Sequence, residues 1–139
     1  MIKTMLIVAT VGMSMGVGSA IAGGGCIPPE ASSALTGDVN AGKKVFRTCK
    51  VCHTLKEGGK NSIGPNLHSV VGRDAGTVDG FKYSKAMKES GITWNETTLR
   101  AFLTSPKKYI PGNKMPFPGL KKPEQIENVI AYIIEKSNK

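Results

Sequence analysis

Residues that bind metals or act as nucleophiles are scarce in this chain of 139 residues, which has two histidines and three cysteines. Outside residues 49–53 only Cys26 and His68 remain of either type. That shortage counts against a tetrahedral zinc site, the more so because Cys52 and His53 are neighbours. No stretch alternates apolar and polar residues with period two for long enough to demand a sheet. Acidic residues are the scarcer charge, 10 against 19 basic, so the chain carries a net +9. Tryptophan occurs once, at Trp94.

What is present is Cys49-Lys50-Val51-Cys52-His53. Two cysteines at i and i+3, followed at once by histidine, are the attachment signature of a c-type haem. A haem has two vinyl groups on neighbouring pyrroles, and each takes one thiol as a thioether. One helical turn points both sulfurs the same way, and His53 then brings an imidazole nitrogen to the iron. Two plainer readings stand beside this one. A dithiol redox pair would need a βαβ setting, whereas the surroundings read as helical. Half of a zinc site would need partners of which the chain is short. A second Cys-x-x-Cys-His, which a two-haem enzyme would need, is absent.

Residues 1–22 read as an export signal. Lys3 supplies the charged start, residues 5–18 are apolar or small, and Ala20-Ile21-Ala22 is an A-x-A cleavage site. Export fits a c-type haem, whose attachment is completed outside the cytoplasm, and places the product in the periplasm. The remainder is long enough for one small domain with a thin core, to which a haem would add apolar mass. Two alternatives stay open. The 18 uncharged residues 5–22 could span a membrane marginally if left uncut. Cys26 could accept a lipid, although Gly23 stands where the usual signal has a leucine-like residue. Residues 23–36 read as a linker. With an anchored N-terminus, residues 27–36 would reach about 30 Å and keep the domain near the membrane.

The folded domain is expected over residues 37–139. Asp38 is a plausible N-cap for a helix running towards Cys49, with Val39, Ala41, Val45 and Phe46 on one face. Residues 56–64 form a glycine-rich loop, and residues 65–71 a single helical turn stopped by Gly72. Ser84 caps a short helix through Lys88 that Gly91 ends. Asn95 caps another, with Leu99, Phe102 and Leu103 on one side, which stops near Ser105 because Pro106 follows. Pro123 suits a first helical position, and Glu124 and Glu127 complement the dipole there. Ile126, Val129, Ile130, Ile133 and Ile134 then recur with helical period and need burial, while Lys136 and Lys139 sit at the favourable far end. The fold class is all-α, with short helices wrapped around a prosthetic group.

Gly64-Pro-Asn-Leu-His, Gly72-Arg73, Gly80-Phe-Lys-Tyr83-Ser and Gly91-Ile-Thr-Trp94 occur in that order. Pro106-Lys-Lys-Tyr-Ile-Pro-Gly-Asn-Lys-Met115 and Val129-Ile-Ala-Tyr132 follow them. Together these stretches resemble class I cytochrome c, of the mitochondrial type and its close bacterial relatives. The resemblance implies a small cytochrome c fold around one haem c, attached through Cys49 and Cys52. It implies a one-electron carrier between respiratory-type redox complexes and not an enzyme. It implies His53 and Met115 as the axial iron ligands. Met115 lies in a proline-rich loop, off any packing period, and a soft thioether raises the reduction potential. With both axial positions filled, no substrate reaches the iron. The Pro65 carbonyl is expected to accept the free N–H of His53. Arg73, Tyr83 and Trp94 are expected to hydrogen-bond the haem propionates. Gly42 and Phe46 should meet Val129 and Tyr132 where the first and last helices cross. His68 is expected at the surface or in a loop, ligating nothing.

The chain departs from the family at three positions. Phe102 stands where a tyrosine is common, Met87 where an asparagine is, and Asn113 where a threonine is; all three bear on the network beside Met115. Loss of the first 22 residues would remove Lys3 alone among charged groups, leaving net +8. Residues 43–60 hold six basic residues and only Glu57, and residues 107–122 hold five lysines and no acid. Both clusters flank haem ligands. Such a field steers acidic docking faces of redox proteins into a small, transient interface. The resemblance suggests a cytochrome bc complex as donor and a terminal oxidase or other reductase as acceptor. Export disfavours nucleic acid, and the chain is expected to be a monomer.

Overall fold

The computed structural model describes residues 36–137. The expected export signal or anchor, Cys26 and nearly all of the linker lie outside the described residues, as does Lys139. Among the described residues no helix is long and apolar enough to cross a membrane. The elements are α1 (Val39–Lys50), α2 (Lys85–Lys88), α3 (Glu96–Thr104), α4 (Pro106–Tyr109) and α5 (Pro123–Ser137). No strand is present among the described residues beyond a single antiparallel bridge between Asp74 and Thr93.

Capping chemistry sets where the helices start. The Asp38 carboxylate accepts from the backbone N–H groups of Asn40 and Ala41 at 2.6 and 2.9 Å, satisfying two donors that a first turn leaves free. Ser84 accepts from the N–H of Met87 at 3.1 Å and opens α2. Asn95 and Thr98 form a reciprocal box at α3: the Thr98 N–H donates to Asn95 Oδ1 at 2.9 Å, and the Asn95 N–H donates to Thr98 Oγ1 at 2.8 Å. Pro106 ends α3 as expected and is also the first residue of α4, a short helix that the sequence reading did not anticipate.

The frame is the crossing of α1 on α5. At Gly42 an added Cβ would run into the carbonyl oxygen of Asn128 and lie 2.8 Å from the Cβ of Tyr132. The absent side chain is therefore what lets the two backbones approach. Phe46 packs on Tyr132 at 5.3 Å between ring centroids, and the Asp38 N–H donates to Asn128 Oδ1 at 2.7 Å. Val129 and Ile130 are fully buried at the centre of the core. Arg100 on α3 grips the Glu127 carboxylate on α5 through Nε and Nη2, the second bond being 2.8 Å.

Residues 65–71 are irregular, with turns at 68–69 and 71, and do not form the expected helical turn. The reason lies in Asn66 and Ser69. The Asn66 side-chain oxygen accepts the His68 N–H at 2.7 Å, an Asx-type bond that competes with helical pairing. Ser69 takes φ 49, and its N–H leaves the segment to donate to the Ser137 carbonyl at 3.0 Å.

Candidate functional site

The site begins at the last turn of α1. The N–H groups of Cys52 and His53 both donate to the Cys49 carbonyl, at 3.0 and 2.9 Å. The helical turn thus continues past Lys50 and carries both thiols and the imidazole on one coil of backbone. Both cysteines are half-buried and free of any disulfide. Burial pushes the Cys49 thiol up to about 11, so it stays protonated at neutral pH.

His53 is held from the other side. Its Nδ1 lies 2.8 Å from the carbonyl oxygen of Pro65. A carbonyl only accepts, so Nδ1 carries the proton and Nε2 keeps the free lone pair. Burial lowers the His53 pKa and the Pro65 bond partly opposes it. The neutral imidazole that results is the form a metal needs. Gly64, to which the sequence alone assigns no role, packs against this ring. An added Cβ would sit 2.7 Å from Nδ1 and 2.8 Å from Nε2. The Gly64 N–H also donates to the Cys52 carbonyl at 2.8 Å, tying the Pro65 segment to the cysteine turn.

Asn66 was likewise given no role. It is buried, and its Nδ2 donates to Thr54 Oγ1 at 2.7 Å and to the Lys56 carbonyl at 2.9 Å. Its own N–H donates to Asn61 Oδ1 at 2.9 Å, and Asn61 Nδ2 donates to the Asp79 carbonyl at 2.8 Å. The segment that presents Pro65 to His53 is therefore knitted to two neighbouring loops. The signal available was only an asparagine within Gly64-Pro-Asn-Leu-His.

Arg73 spends two of its nitrogens inside the protein. Nη1 donates to the His68 carbonyl at 2.9 Å and Nη2 to the Asn66 carbonyl at 3.0 Å. Tyr83 is close enough for its field to be felt. Burial lowers the Arg73 pKa and Tyr83 opposes this; burial raises the Tyr83 pKa and Arg73 opposes that. Trp94 is 8% exposed and joins the same region through its backbone, its N–H donating to the Arg73 carbonyl at 2.9 Å. Its ring meets Phe102 edge-on at 5.1 Å. His68 lies in a turn but is half-buried, and its Nδ1 is buried without a hydrogen-bond partner.

Met115 is half-buried and packs, like Cys49 and Tyr83, against the buried cluster that holds Trp94 and Phe102. Its N–H donates to Asn113 Oδ1 at 3.0 Å. No group of three or more His, Cys, Asp or Glu able to hold a bare metal ion exists among the described residues. The donors that the sequence points to are the His53 imidazole, the Cys49 and Cys52 thiols and the Met115 thioether. That set suits a haem, whose porphyrin brings four nitrogens of its own and leaves only axial positions to the protein.

The cytochrome c family model matches residues 39–136. Cytochrome c of Chlamydomonas reinhardtii is 52% identical over 103 residues, covering 73% of this chain and 92% of that protein. Cytochrome c2 of Agrobacterium tumefaciens (strain II Chrys) is 48% identical over 101 residues, covering 70% of this chain and 91% of its own length. The solved structure of cytochrome cH from Methylobacterium extorquens superposes with a TM-score of 0.67 at 45% identity, covering 71% of this chain and 99% of that one. The helical architecture without strands is that of this neighbour. The chain therefore belongs to the cytochrome c family, whose members bind haem c covalently through a cysteine pair, here Cys49 and Cys52, and transfer electrons to and from other redox proteins without acting as enzymes.

Proposed function

We propose that the protein is a monohaem carrier that passes single electrons between respiratory-type redox complexes, with His53 and Met115 as the two axial ligands of its iron. The observation that carries this reading is the bond from His53 Nδ1 to the Pro65 carbonyl at 2.8 Å, which leaves Nε2 free to donate. When bound, the haem supplies a one-electron iron couple. His53 gives it a basic, oriented nitrogen, because a hydrogen-bonded N–H strengthens the opposite lone pair. Met115 gives a neutral sulfur that favours the reduced state. Arg73, Tyr83 and Trp94 would hydrogen-bond the two propionates, and the Arg73 charge, which lies beside Tyr83, supports that reading. A site filled on both faces changes charge with little change in shape and admits no substrate.

The exposed lysines at 107, 108, 114, 121 and 122, and the exposed basic residues at 43, 44, 47, 50, 56 and 60, support acidic docking faces on the partners, with a cytochrome bc complex as donor and a terminal oxidase or other reductase as acceptor. The leader-like residues 1–22 support export to the periplasm, with cleavage, an uncut anchor or a lipidated Cys26 as the routes. The linker is then 23–36 and the working domain 37–139, acting as a monomer. Optical spectra test the ligand set. The reduced protein should show a low-spin spectrum that carbon monoxide leaves unchanged. A spectrum that shifts under carbon monoxide means an open iron, as in a peroxidase or gas sensor, and overturns the carrier reading.

A further inference from the structure

The geometry points to Asn113 as the positioning residue that sets how firmly Met115 holds the iron, an inference that rests on Met115 being the ligand. Asn113 is 8% exposed, and its carboxamide is used at both ends. Nδ2 donates to the carbonyls of Pro106 and Ile110, each at 2.7 Å. Oδ1 accepts the N–H of Met115 at 3.0 Å. Pro106 and Ile110 are the first residue of α4 and the residue that closes it, and both are buried. One side chain thus ties the backbone of Met115 to a fixed helical turn. It adds a second donor to two carbonyls that already accept backbone N–H groups, that of Pro106 from Ile110 at 3.0 Å and that of Ile110 from Asn113 at 3.1 Å.

Few replacements could do the same. An aspartate accepts but cannot donate to the carbonyls, and a leucine of similar size does neither. A threonine, the residue common here in the family, has one hydroxyl proton and cannot serve two carbonyls while also accepting the Met115 N–H from the same distance. The tie matters because a thioether is a neutral, soft donor. How well it competes for ferric iron depends on how much of the time the loop holds it in place, and an incoming ligand gains affinity in proportion to the open fraction.

Imidazole titration of the ferric holoprotein, followed by the sulfur-to-iron charge-transfer band, tests the assignment. Asn113→Leu should bind imidazole at least about tenfold more tightly than the unsubstituted protein, the factor that ~1.4 kcal/mol gives, and Asn113→Thr should fall between. In a Met115→Ala background the Asn113 substitutions should change nothing. If Asn113→Leu does not fold, Asn113→Thr carries the same test. Unchanged imidazole affinity in a folded Asn113 variant, even with a lowered denaturation midpoint, overturns the assignment. The underlying reading fails separately, when Met115→Ala alone leaves the charge-transfer band and imidazole binding as they were.

Discussion

At the scale of single residues, His53 is tightly enclosed. Gly64 lies against the face of its ring, and any larger residue must push the ring or the turn aside. Gly64→Ala should therefore cost about 1–3 kcal/mol, the usual range for overpacking, read as a lowered midpoint in chemical denaturation of the holoprotein. Phe102 lies between Trp94 at 5.1 Å and Tyr109 at 6.5 Å. The resemblance puts a tyrosine at this position beside the methionine sulfur. Phe102→Tyr would place a hydroxyl there, and a bond donated to sulfur draws charge from it and favours Fe(II). A hydrogen bond worth ~0.5–1.5 kcal/mol corresponds to a rise of roughly 20–60 mV for a one-electron couple. Voltammetry showing no shift, or a fall, contradicts this. The pairing of His53 with Pro65 was legible through the resemblance to class I cytochrome c, carried by Gly64-Pro-Asn-Leu-His. The bonds from Asn113 to Pro106 and Ile110, and from Arg73 to the carbonyls of Asn66 and His68, were not. They depend on the path the backbone takes between residues, which no local pattern states.

At the scale of elements, the α1–α5 crossing and the α3–α5 link carry the predictions. Gly42→Ala sets a methyl group against the Asn128 carbonyl, a rigid backbone atom that cannot give way as a side-chain tip can. The expected loss is about 3 kcal/mol of stability, measured by thermal or denaturant unfolding. The Arg100–Glu127 pair makes a pH prediction. The hydrogen bond from Arg100, the larger cause, and its charge hold the Glu127 carboxyl below its ordinary 4.5. A group whose pKa is depressed on folding contributes stability above its unfolded value and loses it as pH falls through the folded one. Glu127→Gln should therefore be less stable than the unsubstituted protein near pH 7, with the gap closing below about pH 4.5. A gap independent of pH contradicts the assignment. Helices α1, α3 and α5 were legible from their caps and apolar period. Helix α4 was hidden because Pro106 reads as a stop, and a stop for one helix is also a favoured start for the next. Residues 65–71 were misread because apolar spacing says nothing of where the Asn66 side chain bonds.

At the scale of the whole molecule, charge and ligation decide what the chain does. With 19 basic and 10 acidic residues, encounter with an acidic partner should be fast at low salt. It should slow steeply as ionic strength rises, because exposed charges farther apart than a Debye length, about 10 Å at 0.1 M, are screened. Stopped-flow electron exchange with an acidic redox protein, repeated across salt concentrations, checks this; a flat profile contradicts it. The fold class, the haem and the family were legible at this scale, since the Cys-x-x-Cys-His stretch and the motifs after it are contiguous in sequence. Beyond the His53–Pro65 bond, the hydrogen bonds around His53 and Met115 were not, since they depend on how loops fold back on themselves, which no motif states. Spectroelectrochemical titration of Met115→Ala beside the unsubstituted protein bears most directly on the proposed ligation by His53 and Met115. A lower potential and a reduced form that now binds carbon monoxide are the predicted result; an unchanged spectrum and potential would contradict the account.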